Sequence, residues 1–218
     1  MVIKKIKKLL LKIITVSIIT FTLFIPVKAA EKSTTIILDY AHHDTISDYG
    51  AVYGEYKESE IANDITEKVG KILEKQGFSV LYTRDKNGTI TLEERIKFTK
   101  ENYYDSYISI HINSADHEAT GTEAYSNNQW TLSNNICKEI SAGFNIPARG
   151  VNATPYYNIY IPNSTILELG FINGDTEMLV NNQDELAEII ASNIIEQYRT
   201  QTIETNLGNF DNKVNYKE

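Results

Sequence analysis

Four side chains in this sequence, His42, Glu58, His111 and Glu168, are of the types that bind metal ions or move protons. His111 has the least ordinary setting, because Tyr107-Ile108-Ser109-Ile110-His111-Ile112-Asn113 is otherwise the β-branched and aromatic run of a buried strand. An imidazole there is either a core histidine with a satisfied hydrogen bond or a metal ligand whose second nitrogen is held by a neighbour. Glu168, among Ile166, Leu167 and Leu169, is a buried carboxylate that needs either an ion pair, for which Arg84 or Arg95 would serve, or chemical work beside a metal. Glu58 by itself reads as one more solvated acid among Glu55, Glu60 and Asp64. Two imidazoles and a carboxylate with an open fourth position, however, make a catalytic rather than a structural zinc site.

What decides between these readings is whether the elements bring the four to one place. Thr34 to Asp39 reads as a short buried strand, and Tyr40 to Glu55 as a long polar loop that carries His42. Ile61, Ile65, Val69 and Ile72 recur at helical spacing from about Lys57 to Gln76, where Gly77 stops the run. Phe78 to Thr83 is then a second strand, and strand, helix, strand is the order of a parallel crossover. Thr91-Leu92-Glu93-Glu94 is a capping-box pattern opening a helix to about Asn102. The histidine strand runs from Asp105 to Ile112. An edge strand is expected over Thr120 to Ser126, a helix over Thr131 to Ala142 and a buried strand over Thr165 to Leu169. Phe144 to Asn163, with three of the four prolines and Tyr156, Tyr157 and Tyr160, reads as irregular. Leu186 to Tyr198 closes the fold as an amphipathic helix, and residues 201–218 read as a loose polar tail. The expected fold is α/β: one three-layer domain over residues 31–200, with a mostly parallel twisted sheet flanked by helices. In such sheets sites form beyond the carboxyl ends of the strands, which is where His42, His111 and Glu168 fall, with Glu58 in the first turn of the intervening helix.

Residues 1–29 stand apart. Lys4, Lys5, Lys7, Lys8 and Lys12 precede an apolar run from Ile13 to Ile25, and Val27-Lys28-Ala29 has small residues of the kind an export peptidase accepts. This reads as a secretory signal cleaved after Ala29, with an uncleaved anchor as the alternative; the run is short for a span of about 20 residues. Its removal takes away six lysines and no acid, so the net charge goes from −8 to −14. A body so acidic argues against electrostatic binding to nucleic acid or anionic membrane. Cys137 is the single cysteine, which excludes an internal disulfide, and its place beside Leu132, Ile136 and Ile140 favours packing over reactivity.

The ordered fragments Leu38-Asp39-Tyr40-Ala41-His42, Gly50-Ala51-Val52, Lys57-Glu58, Tyr82-Thr83-Arg84, Ser109-Ile110-His111-Ile112-Asn113, Gly121-Thr122-Glu123 and Leu167-Glu168-Leu169-Gly170-Phe171-Ile172 together resemble the zinc-dependent N-acetylmuramoyl-L-alanine amidases of the amidase-3 type. The resemblance spans about residues 34–198. Carried over position by position, it implies Zn2+ on His42, Glu58 and His111, with Glu168 as the catalytic general base. It implies an exported, wall-associated or secreted enzyme that cuts between N-acetylmuramic acid and the L-alanine of the stem peptide in peptidoglycan. Where the family usually has Asp-Pro-Gly-His-Gly-Gly, this chain has Asp39-Tyr40-Ala41-His42-His43-Asp44, which leaves His43 as an alternative to His42. The loop between Val151 and Ile166 is also shorter than usual.

That altered loop motivates a second reading, a wall-binding or regulatory protein of the same fold without turnover; a zinc peptidase cutting within the stem peptide is a third. His117-Glu118 begins like a metalloprotease helix but lacks the second histidine. Tyr156, Tyr157 and Trp130 read as packing rather than as a substrate groove. With no separate wall-binding module visible and an acidic body, a monomer targeted or activated by a partner protein is expected. Growth, daughter-cell separation, sporulation and germination all fit as its occasion.

Overall fold

The computed structural model describes residues 33–42, 48–154 and 156–214, with side chains described as far as residue 201. They lie in one compact unit that begins at Ser33. The predicted signal segment and His43 fall outside the described residues.

Six strands form one sheet: β1 (Thr35–Tyr40), β4 (Ser79–Tyr82), β5 (Ser106–Asn113), β6 (Thr122–Asn127), β7 (Ala148–Ala153) and β8 (Ser164–Phe171), in the order β4-β1-β5-β8-β6-β7. Every neighbouring pair is parallel except β6 with β8. The sheet is therefore mostly parallel, as expected, but β6 is an interior strand rather than an edge. The edge belongs to β7, inside the stretch read as irregular. Ala148-Arg149-Gly150-Val151-Asn152-Ala153 has no apolar alternation, and its residues are exposed or half-buried, so it carries none of the hydrophobic signal of a strand.

One face of the sheet is closed by helices. In α1 (Glu58–Lys75), Ile61, Ala62, Ile65, Val69 and Leu73 are buried against Ile36, Leu38, Ile108 and Ile110. In α3 (Trp130–Phe144), Leu132, Ile136, Cys137 and Ile140 join the same core. The thiol of Cys137 is pushed up to about 11 by burial, so the cysteine packs and stays protonated. Short α4 (Thr176–Asn181) leads into α5 (Gln183–Val214), which packs on α1 and α3 through Leu186, Ile190, Ala191 and Ile194. Helical backbone thus continues to Val214, through the stretch from residue 201 read as a loose polar tail.

The other face is covered only in part. There α2 (Leu92–Glu101) and a 3-10 turn (Tyr157–Tyr160) shelter a small cluster of Ile37, Tyr107 and Ile161, with Ile96, Phe98 and Tyr157 packed against it. The box that opens α2 is present in full: Thr91 Oγ1 accepts from the Glu94 amide at 3.2 Å, and the Glu94 carboxylate accepts from the Thr91 amide at 2.8 Å. Because side chains alternate along a strand, Ile37 and Tyr107 lie on the same face as Asp39, Ser109, His111, Asn113, Glu168 and Glu123. The register aligns Asp39 with Ser109, His111 with Glu168, and Glu168 with Glu123. A band of polar side chains thus crosses four strands, with α2 packed over its Asp39 end.

Candidate metal centre and its surroundings

His111 near the end of β5 and Glu168 within β8 contribute to this band, and Glu58 meets them from the first turn of α1. The start of α1 has no side-chain cap. It is held instead by the preceding loop, through hydrogen bonds from the Glu58 amide to Ala51 O at 2.8 Å and from the Ser59 amide to Tyr49 O at 3.0 Å. That loop includes the two-residue strands β2 (Val52–Tyr53) and β3 (Tyr56–Lys57), which pair antiparallel. Gly50, at φ +67°, lets it pass so close that a Cβ would overlap the Glu58 carboxylate and the His42 ring.

His42, Glu58 and His111 offer one ligand atom each within 4.8 Å of one another. Glu58 Oε1 lies 2.9 Å from His111 Nδ1 and 3.4 Å from His42 Nε2. Its oxygens also accept from the backbone amides of Ile112 at 3.0 Å and Ala51 at 2.8 Å. Each ring is oriented through its other nitrogen. His42 Nδ1 is 2.5 Å from Asp48, and His111 Nε2 is 3.1 Å from Ser109 Oγ. Ser109 in turn donates to Asp39 Oδ2 at 2.7 Å. Orientation of a ligand imidazole through its far nitrogen is how histidine metal sites fix tautomer and angle.

Asp39 is the buried anchor of this arrangement. It pairs with Arg95 from α2 and accepts from Thr83 at 2.5 Å and Tyr157 at 2.9 Å. Burial opposes its ionisation, but the Arg95 guanidinium and the three hydroxyls hold its carboxyl below the usual range. Arg95 is therefore the partner of Asp39 and not of Glu168. Arg84 is committed as well. Its guanidinium donates to the carbonyls of Tyr40, Ala41 and His42 and lies over the Tyr40 ring, clamping the loop that holds His42 at φ +44°.

Electrostatics asks for a cation at the centre. Burial disfavours charge on His42, yet the Glu58 and Asp48 carboxylates raise it to about 9. Burial likewise opposes ionisation of Glu58, but the two imidazoles hold it well below the ordinary carboxylate range. The pocket thus stabilises positive charge between two rings, and a divalent ion there would supply it while leaving both rings neutral. Nitrogen and carboxylate donors in this number suit zinc and leave a position open.

Glu168 is paired with no cationic side chain among the described residues, and its Oε2 is buried without a hydrogen-bond partner. Burial, reinforced by Glu58 and Glu123 and opposed by His111, raises it to about 7. A carboxylate so placed exchanges a proton near neutral pH. Beyond it the band continues: Glu123 accepts from Asn113 at 2.6 Å and from Tyr125 at 3.3 Å. The exposed Tyr156 packs edge-on to Tyr125 with ring centroids 4.9 Å apart, so Tyr156 borders this open face. Tyr157 instead turns inward to Asp39, and Trp130 lines a separate groove with Tyr103 and Tyr104. His117 and Glu118 sit in a loop and join no ligand group among the described residues. Asp48 escaped the sequence reading because nothing in a polar loop marks one acid as a histidine's partner. The Ser109–Asp39 contact depends on strand register and has no local signal.

The chain is 30% identical over 185 residues to the protein YqiI of Bacillus subtilis (strain 168), covering 78% of this chain and 89% of that one. It is 30% identical to the probable cell wall amidase LytH of Staphylococcus saprophyticus, over 76% of this chain and 56% of that one. Among solved structures, the N-acetylmuramoyl-L-alanine amidase AmiC2 of Nostoc punctiforme superposes with a TM-score of 0.70 at 25% identity, over 76% of this chain and 97% of that one. The family model described as N-acetylmuramoyl-L-alanine amidase matches residues 36–197, and with these likenesses it shows that the chain belongs to the Amidase_3 family of cell wall amidases.

Proposed function

We propose that this chain is an exported zinc-dependent peptidoglycan hydrolase that cleaves the amide between the lactoyl carbonyl of N-acetylmuramic acid and the amine of L-alanine. The observation that carries the reading is the buried, unpartnered oxygen of Glu168 on the strand next to His111, beside a His42, Glu58, His111 group able to hold one ion. His42 Nε2, Glu58 and His111 Nδ1 would hold zinc, which when bound acidifies a water and polarises the scissile carbonyl. Glu168 is placed to take a proton from the attacking water as the water oxygen bonds to the carbonyl carbon. Glu168 then returns the proton to the alanine nitrogen, so that the carbon–nitrogen bond breaks to a carboxylic acid and a neutral amine rather than an amide anion. Asp48 and Ser109 hold the rings still throughout.

Family membership and the cell-wall relative support the substrate, and the lysine-rich, apolar start of the sequence supports export. Among the described residues no helix is long and apolar enough to cross a membrane. The test is zinc content per chain together with amine release from purified peptidoglycan, for the wild type, His111→Ala and Glu168→Gln. One zinc and released L-alanine amino termini in the wild type are expected. His111→Ala should lose both, and Glu168→Gln should keep zinc and lose release. Zinc without release would favour the wall-binding alternative, and shortened peptides would favour a peptidase. A folded protein that takes up no zinc would overturn the metal assignment.

A further inference from the structure

We infer that Arg149 forms an anion subsite of the cleft, binding a carboxylate of the stem peptide beyond the alanine whose amide is cut; this rests on the amidase reading above. Arg149 falls in the Phe144 to Asn163 stretch read as irregular, and the structure places it, exposed, on the edge strand β7. Along β6 and β7 the partners run Thr122 with Ala148 and then Glu123 with Gly150, so Arg149 is the extra residue of a β-bulge. Gly150 follows at φ +105°, a conformation that lets the strand bulge without strain on a side chain. Bulges beside active sites re-aim side chains, and this one lays Arg149 over the Phe171 ring at 4.8 Å. Gly121 makes room for it, since a Cβ there would come within 3.0 Å of the Arg149 side chain.

The guanidinium so held is only partly engaged, in a long ion pair with Glu123 and one hydrogen bond. Nε stands 3.8 Å from Glu123 Oε2, beyond hydrogen-bond distance, and Nη1 reaches Thr120 O at 3.3 Å, while Nη2 takes no hydrogen bond among the described residues. The side chain is 44% exposed, so an incoming anion can reach it. Its position is set by register: His111, Glu168, Glu123 and Gly150 succeed one another across adjacent strands. At about 5 Å per strand, Arg149 lies on the order of 10 Å along the band from Glu168. A peptide leaving the scissile amide along this band brings the carboxylate of its second residue within reach of a side chain of that length. In a chain of net charge −8, and in a band already carrying Glu168 and Glu123, Arg149 is the cationic side chain available for a planar, bidentate carboxylate contact.

Two measurements test this. Zinc-loaded wild type, Arg149→Gln and Arg149→Lys are assayed on N-acetylmuramoyl-L-alanyl-D-glutamate with both carboxylates free and on the same compound with both as carboxamides. The free L-alanyl-D-glutamate and its diamide are titrated into the same proteins by calorimetry. The wild type should bind the diacid at least ten-fold tighter than the diamide. Arg149→Gln should remove that preference by raising KM for the diacid ten-fold with kcat within two-fold, and Arg149→Lys should keep part of it. Equal affinity for both peptides in the wild type, or an equal loss on both compounds in Arg149→Gln, would overturn the subsite. Failure of the wild type to cleave either muramoyl compound, with the peptides still distinguished, would count against the amidase reading and leave the anion site standing.

Discussion

At the scale of single residues, the centre combines groups whose charge the protein has arranged to be useful rather than comfortable. Glu168 is the plainest case. Its carboxyl is raised to about 7 from an ordinary 4.5 chiefly by burial. The sign of the consequence is fixed by linkage. Below pH 4.5 the carboxyl is protonated whether the chain is folded or not; between 4.5 and 7 the unfolded chain gives up the proton first; above 7 the folded protein must keep a buried charge. Chelator-treated wild type should therefore lose up to about 3 kcal/mol more stability as pH rises through that window than Glu168→Gln, in which only the loss owed to the raised His42 remains. Urea midpoints of the two proteins at pH 5 and pH 8 measure it, and parallel behaviour would show that the carboxylate is solvated or paired. Ser109 makes a different prediction. It links His111 Nε2 to Asp39, so Ser109→Ala leaves the three ligands in place but frees one ring. Zinc affinity, read by competition with a chromophoric chelator, should fall about 10- to 100-fold with the fold unchanged.

Elements, not residues, decide where those groups meet, and here the approach of the loop before α1 is the tightest constraint. Gly50→Ala would put a methyl group onto the Glu58 carboxylate and the His42 ring, at a backbone angle that L residues rarely adopt. We expect this variant to lose most of its zinc in equilibrium dialysis while its thermal midpoint falls only modestly, because α1 is anchored to the core further along by Ile61, Ile65 and Val69. Full zinc occupancy in Gly50→Ala would mean the loop can move off the site at little cost. The same scale explains what could be read from the chain alone. That His42, Glu58 and His111 come together was legible because His42 follows the end of β1, Glu58 opens α1 and His111 lies near the end of β5, and those boundaries carry strong local signals. The capping box at Thr91 was legible for the same reason. β7 was not, since an edge strand built on Arg149, Gly150 and Asn152 has no apolar period, and with it went the placement of β6 as an interior strand. The continuation of α5 beyond Tyr198 was missed because the polar, Asn-rich composition there outweighed a sparse helical spacing of Ile203, Leu207, Phe210 and Val214.

At the scale of the whole molecule, charge sets the terms on which the chain meets an insoluble, anionic substrate. The net charge is −8, and would be −14 without residues 1–29, so under the proposed function long-range electrostatics would repel the body from an anionic wall. The polar band offers only local compensation. Arg149 is positive, and zinc at the proposed site would be, but Glu168, Glu123 and Asp48 lie around them. Productive contact must then come from short-range recognition that survives the repulsion, and salt distinguishes the two. The screening length shrinks from about 30 Å at 0.01 M to about 3 Å at 1 M, which removes repulsion across the body while a seated carboxylate contact at Arg149 is weakened far less. For zinc-loaded Glu168→Gln, which should bind without cutting, the fraction co-sedimenting with purified wall should rise as sodium chloride goes from 0.01 to 0.3 M. A steep fall over that range would instead mean that a basic surface drives binding, and would remove the reason to expect a partner protein that delivers the enzyme to the wall.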